Sequence, residues 1–228
     1  MKIGFEGQSC VYIEGSKKII IDPFLTGNPK ATKSPEDITA DYILVSHGHG
    51  DHLGDTIAIA KRTKAQVIAP FELATFCGNQ GVNAHAMHIG GSHQFDGVKI
   101  KLTPAWHGSA LVNEEGIAYT GNPCGFLIWL DGKCLYHTGD TGLFSDMREV
   151  IGRFNQIDIA FLPIGDNYTM GPEDALIAAE WLKAETVIPI HYNTWPLIEQ
   201  DPELFKQQVE QKTESKCIII NPGQSKEF

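Results

Sequence analysis

The run DYILVSHGHGDHLGD, residues 41–55, is a short apolar stretch that ends in a burst of histidine and aspartate. DYILVS (41–46) has the composition of a buried strand, and its C-terminal end delivers the chain into SHGHGDHLGD (46–55), where three histidines and two aspartates share ten positions. Neither core packing nor surface solvation calls for that density of metal-capable side chains. DTIAIAKRTKA (55–65) follows with helical spacing and a basic end, and QVIAP (66–70) is again strand-like. The stretch therefore opens a strand–loop–helix–strand unit.

Upstream, KIGFEG, CVYIEG and KKIIIDP are β-rich runs separated by Gly-containing turns, with EGSK as a hairpin connection. Downstream, FELATFCGNQG reads as a second helix, and strands return from GVKIKLTPAWH onward. CGFLIWLDGKCLYHTGD places two apolar runs around Asp131-Gly132, the dipeptide of a type I′ hairpin turn. DIAFLPIGD (158–166) and TVIPIH (186–191) read as buried strands, and KCIIIN (216–221) as a last one. GPEDALIAAEWLKA, with Pro172 in its first turn, and DPELFKQQVEQKT (201–213) read as helices. The order is β-rich, then αβ, then β-rich, then αβαβ. It predicts one α/β domain over 1–228, with two sheets face to face and helices outside, a four-layer αββα sandwich. A doubly wound parallel sheet would alternate strand and helix from the start.

Bulk composition narrows the function classes. The chain has 228 residues, 42% hydrophobic, enough for a sizeable core without a disulfide. Its formal charge is −10 and it holds no run of Lys or Arg, which argues against nucleic acid as a partner. No window approaches the roughly 18 apolar residues of a membrane span, and MKIGFEGQSC lacks a long apolar leader core. Cys10, Cys77, Cys124, Cys134 and Cys217 are odd in number and form no CxxC pair, which fits a reduced, cytoplasmic protein.

Imidazole nitrogens suit zinc, manganese, iron or nickel, and a carboxylate adds a harder oxygen donor. His47 and His49, two apart in a Gly-bracketed turn, can face one ion, while Asp51 and His52 face a second. Gly48 and Gly50 are expected to supply backbone angles that other residues resist. Three further strand ends offer donors: LTPAWH ends at His107, LYHTGD carries Asp140 three residues after His137, and VIPIH ends at His191.

HGHGDH, a downstream His, a Gly-Asp-Thr and a strand-terminal His together resemble the metallo-β-lactamase superfamily. SCVYIEGSKKIIIDPF, MHIGG, YHTGDTG and LPIGDNYTMGPEDA are most similar to a group of small bacterial and archaeal metal-dependent hydrolases that itself resembles ascorbate-6-phosphate lactonase. The resemblance implies an αββα fold and two divalent ions, zinc, manganese, nickel or iron. It assigns His47, His49 and His107 to the first, Asp51, His52 and His191 to the second, and Asp140 as the bridge. Asp51 is also the expected catalytic proton acceptor or donor. Gln8 stands where relatives often carry His, and His88 where Asn is frequent; both departures are expected to affect the substrate pocket and not the metals. Asp22, His137, Gln8 and Tyr192 are expected to support the site or contact substrate, with Trp195 and the 165–174 loop at the cleft rim. The expected reaction is hydrolysis of a small-molecule ester, lactone or phosphodiester by a hydroxide shared between two ions. A mononuclear iron persulfide dioxygenase, or a nuclease resembling the tRNA 3′-processing enzyme, are the alternatives on the same scaffold. A homo-oligomer is expected from the resemblance alone.

Overall fold

A computed structural model describes residues 1–114 and 116–228. The chain opens with β1 (Lys2–Phe5), β2 (Val11–Glu14), β3 (Lys18–Ile21) and β4 (Tyr42–Leu44), then α1 (Gly50–Leu53), α2 (Thr56–Thr63), β5 (Gln66–Pro70), α3 (Phe71–Asn79) and β6 (Ala84–Met87). There follow β7 (Ser92–Phe95), β8 (Val98–Pro104), the ribbon β9 (Ala110–Asn113) and β10 (Gly116–Tyr119), then β11 (Cys124–Leu130) and β12 (Lys133–His137). The last third holds β13 (Ile159–Pro163), α4 (Pro172–Leu182), β14 (Thr186–Ile190), α5 (Pro202–Lys212), β15 (Lys216–Cys217) and β16 (Ser225–Glu227).

Two seven-stranded sheets result, in the orders β16-β1-β2-β3-β4-β5-β6 and β15-β14-β13-β12-β11-β8-β7. Each begins as an antiparallel meander and continues in parallel through helical crossovers. The Asp131-Gly132 turn has positive φ at both residues, 52° and 79°, as a type I′ hairpin requires.

Strand periodicity sorts the side chains into three apolar layers. Ile19, Ile21 and Leu44 of the first sheet meet Phe126, Ile128, Phe161 and Ile188 of the second in a central core. Their alternate neighbours Ile20, Ile43 and Val67 pack outward on Ile59 and Leu73 of α2 and α3. On the other side Leu127, Tyr136, Leu162 and Val187 pack on Ala175, Ala179, Phe205 and Val209 of α4 and α5. This is the αββα sandwich. The strand at KCIIIN is shorter than expected, since only Lys216 and Cys217 pair with β14, and it is not the last, because β16 follows and pairs antiparallel with β1. Among the described residues no helix is long and apolar enough to cross a membrane.

Candidate metal centre

Because β3 and β4 run parallel, their C-terminal ends lie side by side, one delivering Asp22 and the other Ser46 and His47. In the second sheet β8, β12 and β14 point the same way and are followed by His107, Asp140 and His191. Donors from both sheets therefore converge at one end of the sandwich. The donor nitrogens of His47, His49 and His107 lie within 4.8 Å of one another. So do the donor atoms of Asp51, His52, Asp140 and His191. Asp140 Oδ2 stands between the two groups, 2.9 Å from His191 Nε2, 3.2 Å from His52 Nε2 and 3.7 Å from His107 Nε2.

The buried carboxylate of Asp22 organises this end. Its Oδ1 accepts from Ser46 N at 2.7 Å, and its Oδ2 from Ser46 Oγ at 2.7 Å and His52 Nδ1 at 2.8 Å. Since the single hydroxyl proton of Ser46 goes to Asp22, Ser46 Oγ accepts from His47 Nδ1, 2.9 Å away. Each imidazole thereby carries a proton on Nδ1 and turns its Nε2 to the cleft. His52 Nε2 is buried without a hydrogen bond, although two carboxylate oxygens lie at 3.2 and 3.5 Å. Close approach without hydrogen-bond alignment is the arrangement of atoms that point at a common centre. In the other group His47 Nε2 and His49 Nδ1 lie within hydrogen-bond reach of each other, 2.9 Å apart.

Electrostatics agree with a cation between these groups. Burial pushes the imidazoles of His47, His49 and His107 below their usual value, which leaves neutral rings with free lone pairs. Burial also opposes a charge on His52, but Asp140, Asp51 and Asp22 outweigh it and hold its imidazole well above the usual value. Burial likewise opposes ionisation of Asp51 and Asp140, and the surrounding imidazoles outweigh it, so both carboxyls stay below their usual range. The donor set suits divalent metal: three imidazoles form one group, and two imidazoles and two carboxylates the other.

Comparison with known proteins places this geometry in a family. The model of the beta-lactamase superfamily domain matches residues 17–192. A UPF0173 metal-dependent hydrolase of Pelotomaculum thermopropionicum is 62% identical across the whole of both chains. The chain belongs to the UPF0173 metal-dependent hydrolases of the beta-lactamase superfamily. A family member from Bacillus anthracis is 59% identical over 99% of each chain. The solved structure of Igni18, a metallo hydrolase from Ignicoccus hospitalis, shares 37% identity and a TM-score of 0.90, covering 100% of this chain and 98% of its own.

Within this UPF0173 framework the seven expected ligand positions are brought together, and the surrounding expectations divide. Asp22 lies directly behind His52. Gln8 departs from the expectation that it leaves the metals untouched: its Nε2 donates to Asp51 Oδ2 at 2.8 Å and lies 2.8 Å from His191 Nε2. The reason is the β1–β2 loop, which folds under the site so that Gln8 O also accepts from His191 N. His137 is buried behind the site, where its Nε2 donates to Ser9 O at 3.2 Å and its Nδ1 accepts from Gly139 N at 3.1 Å. It reaches Asp140 only through Ser9, whose Oγ donates to Asp140 Oδ1 at 3.4 Å. Tyr192 does not line the cleft. It packs in the core beneath α4 and α5, because adjacent side chains diverge and His191 takes the cleft side. His88 stacks on Phe71, ring centroids 5.6 Å apart, outside the cleft lining.

Sequence reading missed Ser46 and Ser9, whose hydroxyls carry no signal by type. It also missed the backbone of the site: Gln8, Asp22 and His191 all have positive φ, at 55°, 47° and 53°. Non-glycine residues reach that region at a cost, and their clustering on a donor-rich centre marks it as a functional site.

Proposed function

We propose that this family member hydrolyses a small-molecule ester, lactone or phosphodiester with two divalent ions, one held by His47, His49 and His107, the other by Asp51, His52 and His191, with Asp140 shared. The observation that carries this reading is the position of Asp140 Oδ2, within 3.7 Å of an imidazole nitrogen from each half of the site. When bound, such ions lower the pKa of a coordinated water towards about 7 and polarise the attacked oxygen. The chain's own groups do the rest. Asp22 and Ser46 keep the Nε2 atoms of His52 and His47 aimed at the cleft. Asp51 is about a quarter exposed, whereas Asp140 is almost fully covered, so Asp51 is the carboxylate that can trade a proton with the leaving group. Gln8 fixes the Asp51 carboxylate by donating to Oδ2.

Mass spectrometry of protein purified without added metal tests this, paired with assays on a lactone and a bis-aryl phosphodiester. Close to two divalent ions per chain, with turnover lost on chelation, is the expected result. Asp140→Ala should lose metal and turnover together. One iron per chain and oxygen uptake with a persulfide would instead make it a dioxygenase. No metal after reconstitution with zinc or manganese would sink the proposal.

A further inference from the structure

The cleft above the metal-capable side chains has a volume of about 590 Å³ and is walled by Phe24, Tyr168 and Trp195. Phe24 and Trp195 lie 6.1 Å apart between ring centroids at 37°, one from the turn after β3 and the other from the turn after β14. Tyr168, from the 165–174 loop, adds a third ring that is 53% exposed, and Trp195 is 37% exposed. The remaining lining residues are His49, Gly50, Asp51, His107, Asp140 and His191, so among the described residues no Lys or Arg lines the cleft.

The arginines of the chain, and the lysines Lys30 and Lys33, lie outside the cleft lining. The three arginines are Arg62, Arg148 and Arg153. Arg62 donates to the carbonyls of Pro35 and Ile38, while Arg148 and Arg153 lie over Trp181 and Phe154 on the outer helical layer. Lys30 lines a separate depression with Asn193, Glu199, Gln200 and Asp201. Lys33 is paired with the buried Glu6. A phosphoryl group remote from the reaction centre is ordinarily recognised by Arg forks, Lys or a helix N-terminus, and the cleft lining offers no such side chain.

Resting on the proposed hydrolase reading, we infer that the substrate is an uncharged carbonyl ester or lactone bearing a flat aromatic group, seated against Phe24, Tyr168 and Trp195. The rings supply stacking and apolar burial, and the site excludes phosphorylated lactones for want of a counter-charge. In the reaction the oxygen of water bonds to the carbonyl carbon and the acyl–oxygen bond breaks. One proton goes to the leaving oxygen, and the other is released when the new carboxylic acid ionises.

The metal-reconstituted full chain should be assayed on 2-naphthyl acetate, ethyl acetate, γ-phenyl-γ-butyrolactone, 6-phosphogluconolactone and bis(4-nitrophenyl) phosphate. Binding of the neutral, unreactive N-methyl-2-naphthamide should be followed in parallel by equilibrium dialysis. The naphthyl ester and phenyl lactone are expected to have the highest kcat/KM. Trp195→Ala should lower the naphthyl-to-ethyl ratio of kcat/KM and weaken naphthamide binding, each about tenfold, the scale of one lost aromatic contact with its burial. Tyr168→Ala, on an exposed ring, is the second variant if Trp195→Ala does not fold. Preference for the phosphorylated lactone or the phosphodiester overturns the inference while leaving a hydrolase. An unchanged ratio in both variants also overturns it. If two ions are bound and no substrate turns over, the hydrolase reading fails, and naphthamide binding alone then decides whether the aromatic wall is a binding site.

Discussion

At the scale of single residues the donors are only as good as what holds them. Asp22 contacts no ligand-facing atom, yet it fixes the tautomer of His52 directly and that of His47 through Ser46. Loss of such an outer partner typically costs 10–100-fold in metal affinity. Asp22→Ala is therefore expected to weaken metal binding by about that factor, read by competition with a chromogenic chelator, with Ser46→Ala affected less. An unchanged affinity in Asp22→Ala would separate the carboxylate from the site. The metal-capable side chains that the structure brings together were legible as a constellation, a His/Asp cluster joined by strand-end His and Asp residues, and not one by one. Ser46 was not, since a hydroxyl looks alike in any loop, and Gln8, expected near the substrate pocket, instead contacts Asp51 and His191. Tyr192 misled because proximity in sequence to His191 says nothing about which face of the chain a side chain takes.

At the scale of elements, the two glycines of HGHG have different jobs. Neither has positive φ, against the expectation of special backbone angles. Gly48 is required for room: a Cβ there would enter the Thr120 side chain, 2.9 Å from its Cβ. Thr120 in turn hydrogen-bonds Ser109 Oγ at 2.7 Å, which accepts from Gly48 N at 3.1 Å, so the base of the β9–β10 ribbon braces the donor loop. Gly50 opens α1 and a Cβ there would meet nothing within 4 Å. Gly48→Ala should destabilise by about 1–3 kcal/mol, the usual cost of overpacking, and weaken metal binding. Gly50→Ala should leave urea unfolding within about 0.5 kcal/mol of the parent. Equal effects would refute the distinction. The α1 turn itself was not foreseen, because Gly50–Leu53 is too short for a periodic signal and its composition reads as loop. The hairpins, by contrast, were plain from alternating apolar runs around Gly-containing turns.

At the scale of the whole molecule the two-sheet architecture was readable from element order, but the layer thickness depends on large side chains that order does not name. Phe126 and Phe161 fill the central layer with no exposure, and either change to Ala should cost about 3–5 kcal/mol by urea denaturation. All five cysteines are buried and free. Burial pushes the thiols of Cys77, Cys134 and Cys217 up to about 12, and the phenol of Tyr192 likewise to about 12. These groups are neutral when protonated, and in the unfolded chain the thiols ionise near 9.0. Their contribution to stability is thus complete below pH 9 and is lost as pH rises through about 12. The native protein should react with a disulfide reagent at pH 8 only after denaturant is added; prompt labelling of any thiol would contradict that burial.

The donors also come from opposite sides of the central layer, His47, His49, Asp51 and His52 from one sheet and His107, Asp140 and His191 from the other. An ion seated among them would act as a fastener between the two halves, adding to their apolar contact and to the hydrogen bonds from Cys124 N to Ser46 O and from His191 N to Gln8 O. Occupancy and melting temperature are then the same measurement: at 100 times the dissociation constant, one site adds about 2.7 kcal/mol of resistance to unfolding. A melting curve against free zinc or manganese should therefore rise steadily and fall back on chelation, giving the affinity of each ion without any substrate in hand.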